Sequence, residues 1–83
     1  MWIKSEDGKL FNLESAYSVQ MEERQDSYIV VIEYFPAAMR AFNLTKRISR
    51  EAAIRVINEI EEALQSGVPL LNICVGEECE VED

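Results

Sequence analysis

The sequence predicts an α+β fold, in which one bent antiparallel sheet of about five to six strands is packed by a single C-terminal amphipathic helix. Three observations predict this class. Apolar and polar residues alternate with a period of two in residues 16–23, which is typical of a strand with one buried face. Residues 28–35 form a β-branched apolar run that favours a strand. Residues 49–67 repeat apolar positions at the 3.6-residue spacing of a helix.

The first third of the chain is predicted to contain three strands. Residues 2–5 form a short strand, and the Asp7-Gly8 pair that follows is typical of a tight hairpin turn. Residues 10–15 form the returning strand, and residues 16–23 form the third. The alternation in this third strand places a set of side chains on its buried face: Tyr17, Val19 and Met21.

The next segment is predicted to form the centre of the sheet. Residues 28–35 are apolar on both faces from Ile29 to Ile32, so we expect this strand to be covered on each side. Pro36 ends the strand because proline cannot donate a ladder hydrogen bond. Residues 38–45 continue the sheet, with Phe42 and Leu44 as its expected core positions.

The helix is predicted from both of its ends as well as from its period. Ser49 is a good N-cap, and Gly67 followed by Pro69 is typical of a helix stop. The apolar positions form one stripe that must be buried on the sheet: Ala53, Val56, Ile57, Ile60 and Leu64. Residues 69–75 follow the helix as a last short strand.

Length and charge indicate one small acidic domain. Residues 1–76 form a single domain, and residues 77–83 form an acidic C-terminal tail that holds five carboxylates. The net charge of −8 opposes attachment to nucleic acid or to anionic lipid, so we expect neither direct nucleic-acid binding nor membrane association. The first residues lack the apolar run of a signal peptide, so a cytoplasmic location is the default expectation.

The two cysteines, Cys74 and Cys79, admit three interpretations. Cys74 packs as a small hydrophobic residue while Cys79 is an exposed incidental thiol, the two form a disulfide, or they contribute to a metal site. The first is favoured, because a zinc site needs four ligands and the chain has no histidine. We therefore expect no metal and no cofactor.

The chain lacks the residue patterns of an enzyme. It has no histidine to act as general base, and no phosphate-binding glycine loop or nucleophile elbow occurs. We therefore predict that it is not an enzyme. The one basic cluster precedes the helix, where backbone amides favour anions, and it is the best candidate for a contact with a phosphate or an acidic peptide: Lys46, Arg47 and Arg50. The favoured alternative is a solvated connector whose positive charges offset the surrounding acids.

The opening MWIKSEDGKLFNLES resembles the start of a group of small proteins of Gram-positive bacteria and their phages, in which a Trp-Ile strand turns into a second strand ending in Asn-Leu. A tyrosine-led apolar strand, a Ser-capped helix, a Gly turn and a closing strand complete the likeness. The resemblance implies a pleckstrin-homology-like architecture, a bent antiparallel sheet closed by a C-terminal helix, and it implies no particular function. A small open barrel is the alternative form of the predicted sheet. Glu6 and Asp7 in the first turn differ from the basic hairpin of lipid-binding members.

Two functional hypotheses follow from these features. The first is a non-catalytic protein-interaction module that presents a strand edge, or the groove beside the helix, to a peptide or to a second copy. Its predicted contacts are Trp2, Met39 and Arg40, and a homodimer would form through the edge strand 70–75. The alternative is an acidic inhibitor of phage type that imitates nucleic acid, with residues 77–83 as its densest charge.

Overall fold

The computed structural model describes residues 1–34 and 41–74. In this part of the chain the elements occur in the predicted order of five strands, one helix and a closing strand. The α+β class is confirmed. The bounds are β1 Trp2–Lys4, β2 Leu10–Asn12, β3 Ala16–Arg24, β4 Ser27–Tyr34, β5 Ala41–Asn43, α1 Arg50–Ser66 and β6 Leu70–Asn72.

The strands form two open three-stranded sheets, so the prediction of one sheet of five to six strands is wrong. Their orders are β2-β1-β6 and β3-β4-β5, and β6 pairs with β1 in parallel while the other pairs are antiparallel. The division falls at Leu13–Ser15, which coil into a 3-10 turn instead of extending β2. The Asn12 side chain accepts the Glu14 N–H at 3.0 Å, and this local hydrogen bond competes with continued strand pairing.

Both predicted ends of α1 are confirmed. The Ser49 Oγ accepts the Ala52 N–H at 3.1 Å, which satisfies one of the orphan donors of the first turn. At the other end, Gly67 has a left-handed φ of 73° and donates its N–H to the carbonyls of Ala63 and Leu64. Such a left-handed residue closes a helix with little cost when it is glycine.

The core lies between α1 and the inner faces of the two sheets. The helix packs across β3 and β4, and β1 brings Ile3 to the same cluster with no exposed surface. The buried members are Ile3, Val30, Ile32, Leu44, Ala53, Val56, Ile60 and Ile73. Ile29 and Val31, on the opposite face of β4, are also buried, which confirms the prediction of a central strand covered on both sides.

Three aromatic rings connect the two sheets. The ring centroid of Phe11 on β2 lies 5.4 Å from that of Phe42 on β5 and 6.5 Å from that of Tyr34 on β4. The Tyr34 hydroxyl donates a hydrogen bond to the Asn12 carbonyl oxygen at 3.1 Å. Burial raises the pKa of Tyr34 above its ordinary value. The cluster therefore fixes β2 against β4 and β5.

Two residues predicted to be buried are exposed. The register of β3 against β4 shifts between Ala16 and Ser18, so Tyr17 occupies a β-bulge and is 64% exposed. The alternation resumes after the bulge, where Val19 and Met21 pack against the core as predicted. Leu64 is 53% exposed, because Ala63 takes the inward position in the last turn of α1.

Candidate functional site: an apolar sheet face

The solvent-facing side of the β2-β1-β6 sheet is the candidate site, and we call it the outer sheet face. In β1, Ile3 points inward, so Trp2 and Lys4 point outward together with the residues paired to them. Trp2 pairs with Asn12 and Leu70, while Lys4 pairs with Leu10 and Asn72. The six positions of this face are therefore Trp2, Lys4, Leu10, Asn12, Leu70 and Asn72.

Three large apolar side chains on the outer sheet face are about half exposed. The exposed fractions are 47% for Trp2, 57% for Leu10 and 46% for Leu70. Leu70 lies directly opposite Trp2, and Leu10 lies diagonal to it across β1 and β2, so the three are neighbours on one pleated surface. Exposed leucines are ordinary when scattered, but a contiguous group that includes tryptophan is typical of an interaction surface.

The outer sheet face is held rigidly by the core beneath it. Ile3, Phe11 and Leu71 form one inward row between the outward residues, and all three belong to or pack against the core cluster. Both ends of β1 are fixed to β6, since the Trp2 N–H donates to the Pro69 carbonyl and the Ile73 N–H donates to the Lys4 carbonyl, each at 2.8 Å. A partner would therefore meet a preformed surface, which lowers the entropic cost of binding.

The outer sheet face differs in charge from the rest of the chain. Of its six positions, Lys4 carries a positive charge and the other five are neutral. The whole chain has a net charge of −8. A charge-poor apolar surface on an acidic chain is the arrangement expected of the centre of a binding site surrounded by a polar rim.

The predicted contacts divide between this face and the rest of the chain. Trp2 lies on the outer sheet face, whereas Met39 and Arg40 lie outside the described residues. Leu10 and Leu70 were missed. The position of Leu10 could have been predicted from the sequence, because an Asp7-Gly8 hairpin fixes which residue of β2 faces Lys4. The position of Leu70 could not, because the parallel pairing of β6 with β1 leaves no local signal in the sequence.

A second apolar surface lies beside the helix, and we call it the α1–β3 groove. It has a volume of about 290 Å³. Its walls are Val19 from β3 and, from α1, Ile57, Ile60, Glu61 and Leu64. The exposure of Leu64 makes this groove accessible from solvent.

The predicted anion contact has carboxylates beside it. Lys46, Arg47 and Arg50 lie on the segment that enters α1, and all three are exposed. The Lys46 backbone N–H donates to the Glu6 carboxylate at 2.9 Å, and Glu6 and Asp7 line a cavity of about 410 Å³ together with Lys46. These carboxylates oppose a bound anion, and the anion contact stays a prediction.

The first hairpin turn is ordered by Ser5, which is buried. Its Oγ accepts the Lys9 N–H at 3.0 Å and donates to the Asp7 carboxylate. The hydrogen bond that the Ser5 hydroxyl donates to the Asp7 carboxylate, together with the positive charge of Lys9, holds the pKa of Asp7 below its ordinary value. The turn therefore keeps its negative charge at neutral pH, next to the segment that carries Lys46.

Cys74 is disulfide-bonded, so the favoured interpretation of an unpaired packing residue is wrong. The chain's other cysteine, Cys79, and the acidic tail 77–83 lie outside the described residues. Among residues 1–34 and 41–74, no group of three or more side chains of the metal-ligating types is brought together. Within the same residues, no helix has the length and apolar character needed to cross a membrane.

Comparisons with family models, with curated proteins and with solved structures gave no match to this chain.

Proposed function

We propose that this protein is a non-catalytic protein-interaction module that binds a short apolar segment of another protein on its outer sheet face. The observation that carries the proposal is the grouping of Trp2, Leu10 and Leu70, each about half exposed, on one rigid surface. Tryptophan is among the residues most enriched at energetic centres of interfaces.

The size and charge of the face favour a short segment over a second copy. The three side chains offer on the order of 300 Å² of apolar surface, whereas a stable interface buries about 800 Å² on each partner. A homodimer would also bring together two chains of net charge −8, with Lys4 as the charged group on each outer sheet face. A compact apolar segment fills the face without this repulsion.

We also propose a pleckstrin-homology-like relationship and a cytoplasmic location for this protein, and the structure bears differently on each. An antiparallel sheet packed by a helix, as formed by β3-β4-β5 and α1, is common to a pleckstrin-homology-like architecture and to other α+β folds. The parallel pairing of β6 with β1 departs from a single bent antiparallel sheet. A protein of the cytoplasm would meet its partner in a reducing environment, which the disulfide-bonded state of Cys74 does not match.

The proposal is tested by comparing variants that differ only in which exposed side chain they lose. Wild-type protein and the variants Trp2→Ser, Leu10→Ser and Tyr17→Ser are each immobilised and exposed to an extract of the native cell. Tyr17→Ser is the matched control, because it removes an exposed aromatic that lies off the outer sheet face. We expect a protein that is retained by wild type and by Tyr17→Ser and is lost with Trp2→Ser.

The retained protein is then purified and its binding is measured in solution. Trp2 is the chain's one tryptophan, so a blue shift of its emission on binding reports burial of the outer sheet face. We expect Trp2→Ser to weaken binding by about thirtyfold, the effect of losing an interface residue of about 2 kcal/mol. Equal binding by Trp2→Ser would contradict the proposal, as would a light-scattering mass showing a dimer that Trp2→Ser dissociates.

Nucleic-acid mimicry remains the second candidate, favoured by the net charge of −8. Two of the described carboxylates already have partners on the chain itself. Glu22 and Glu33 lie on the sheet face turned away from α1, and their charges are engaged by Arg24 and by the side chains of Ser18 and Gln20. Mimicry predicts that double-stranded DNA displaces the chain from its partner, and binding at the outer sheet face predicts that it does not.

A further inference from the structure

The α1–β3 groove is an apolar surface separate from the outer sheet face. On α1, Ile57, Ile60 and Leu64 recur at intervals of three and four residues, so they line one side of the helix. Val19 supplies the opposite wall from the face of β3 that packs toward the core. The groove holds about 290 Å³, which is enough for one large side chain of a partner.

The two ends of the apolar row differ in burial. Ile60 is 5% exposed and belongs to the core, whereas Leu64 is 53% exposed one turn later. The floor of the groove is therefore part of the packed interior, and its mouth is an exposed leucine. A partner side chain placed there would contact fixed apolar atoms without rearranging the core.

The charge around the mouth is negative. Glu61 lines the groove, and the last turn of α1 contains no basic residue. The C-terminal end of a helix carries a partial negative charge, so carboxylates there are unfavourable to the helix itself and favourable to an external cation. The groove therefore combines an apolar floor with a carboxylate in its wall.

We propose that the α1–β3 groove binds a basic amphipathic segment of a partner protein, which places an apolar side chain against Leu64 and a lysine or arginine beside Glu61. This site is independent of the outer sheet face. The basic cluster at residues 46–50 of a second copy is a poor occupant, because its apolar residue Ile48 is packed against its own core.

The test uses two defined peptides of equal length and helical propensity. In one, leucines alternate in amphipathic register with lysines, and in the other every lysine is replaced by glutamate. Methyl chemical shifts of the isotopically labelled protein are followed during titration. We expect the lysine peptide to move the methyl signals of Val19, Ile57, Ile60 and Leu64, while the glutamate peptide leaves them unchanged.

Four variants locate the interaction. Leu64→Ser is expected to weaken binding of the lysine peptide about fivefold, since half of a leucine side chain loses its apolar contact. Glu61→Gln is expected to weaken it about threefold and to reduce its dependence on salt. Glu51→Gln, the matched control at the other end of α1, and Leu10→Ser, on the outer sheet face, are expected to leave the affinity unchanged.

Three results would overturn the proposal: an absence of lysine-peptide binding at millimolar concentration, shifts spread over other acidic surfaces, or equal losses for Glu61→Gln and Glu51→Gln. Because none of the groove residues lies on the outer sheet face, any of these results leaves the proposed function standing.

Discussion

At the scale of single residues, adjacent side chains of β1 differ in burial and therefore in role. Ile3 is fully buried and joins the β2-β1-β6 sheet to the core, while Trp2 beside it is about half exposed on the outer sheet face. The strand period of two produces this division, since successive side chains leave opposite faces. Trp2 therefore contributes its large apolar surface to a partner and little of it to folding.

Tyr34 is the residue whose protonation should affect stability. Burial raises the pKa of Tyr34 above the ordinary value of 10.0, so the folded state keeps the phenol proton at a pH where the unfolded chain releases it. This contribution to the free energy of unfolding is fully present below the unfolded pKa. It is lost as the pH rises through the folded pKa.

We expect Tyr34→Phe to lower the free energy of unfolding at neutral pH by about 1 kcal/mol, because the hydrogen bond to the Asn12 carbonyl is lost. Above about pH 10 the difference from wild type should shrink, because the variant side chain has no phenolic proton to release. Urea denaturation at a series of alkaline pH values measures both effects. Tyr17→Phe is the control for an exposed tyrosine. If the difference in free energy of unfolding between Tyr34→Phe and wild type stays constant with pH, the dependence of stability on the Tyr34 proton is contradicted.

At the scale of elements, the sequence predicted what local chemistry determines. Ser49 and Gly67 cap α1 as expected, because a cap depends on residues within one turn of it. The register of β3 failed at Tyr17, because a bulge inserts one residue and reverses the alternation before it. The parallel pairing of β6 with β1 joins residues far apart in the chain, so no local sequence pattern predicts it.

The same distinction applies to the candidate site. Trp2 was predicted, whereas Leu10 was missed although the register of the adjacent hairpin implies its position opposite Lys4. Leu70 came onto the outer sheet face only through the long-range pairing of β6. Leu64 was assigned to the buried stripe, because periodicity alone does not show where the sheet beneath a helix ends.

Gly67 provides the element-scale prediction. Its φ of 73° lies in the left-handed region, and a Cβ added there would meet no atom within 4 Å, so a substitution there strains only the backbone. We expect Gly67→Ala to lower the free energy of unfolding by about 1 kcal/mol and Gly67→Asn to lower it by less, because asparagine tolerates this conformation. Thermal unfolding followed by circular dichroism measures both. Equal losses for the two variants would indicate a cause other than backbone strain.

At the scale of the whole molecule, two small sheets and one helix share a single core, and sequence-distant contacts hold them together. Ile3 of β1 meets Val56 and Ile60 of α1 in the same cluster, and the Phe11, Tyr34 and Phe42 rings connect the sheets. A chain of 83 residues has a thin core, so its stability margin is small. A covalent link near the C-terminal end of β6 therefore has a measurable consequence.

The disulfide bond of Cys74 gives the last prediction. We expect the bond to lie within one chain and therefore to join Cys74 to Cys79, because the chain has two cysteines. We expect non-reduced protein to be a monomer lighter than the reduced form by two hydrogen atoms, with no thiol labelled by iodoacetamide. Closing so short a loop should stabilise the fold by about 2 kcal/mol, so reduction should lower the midpoint of urea denaturation.

The Cys79→Ser variant, in which Cys74 has no partner in the chain, should become labelled at Cys74. Thiols that label fully in the untreated wild type would contradict the bond, and labelling in acid-quenched cells would show whether the compartment of the native protein keeps it closed.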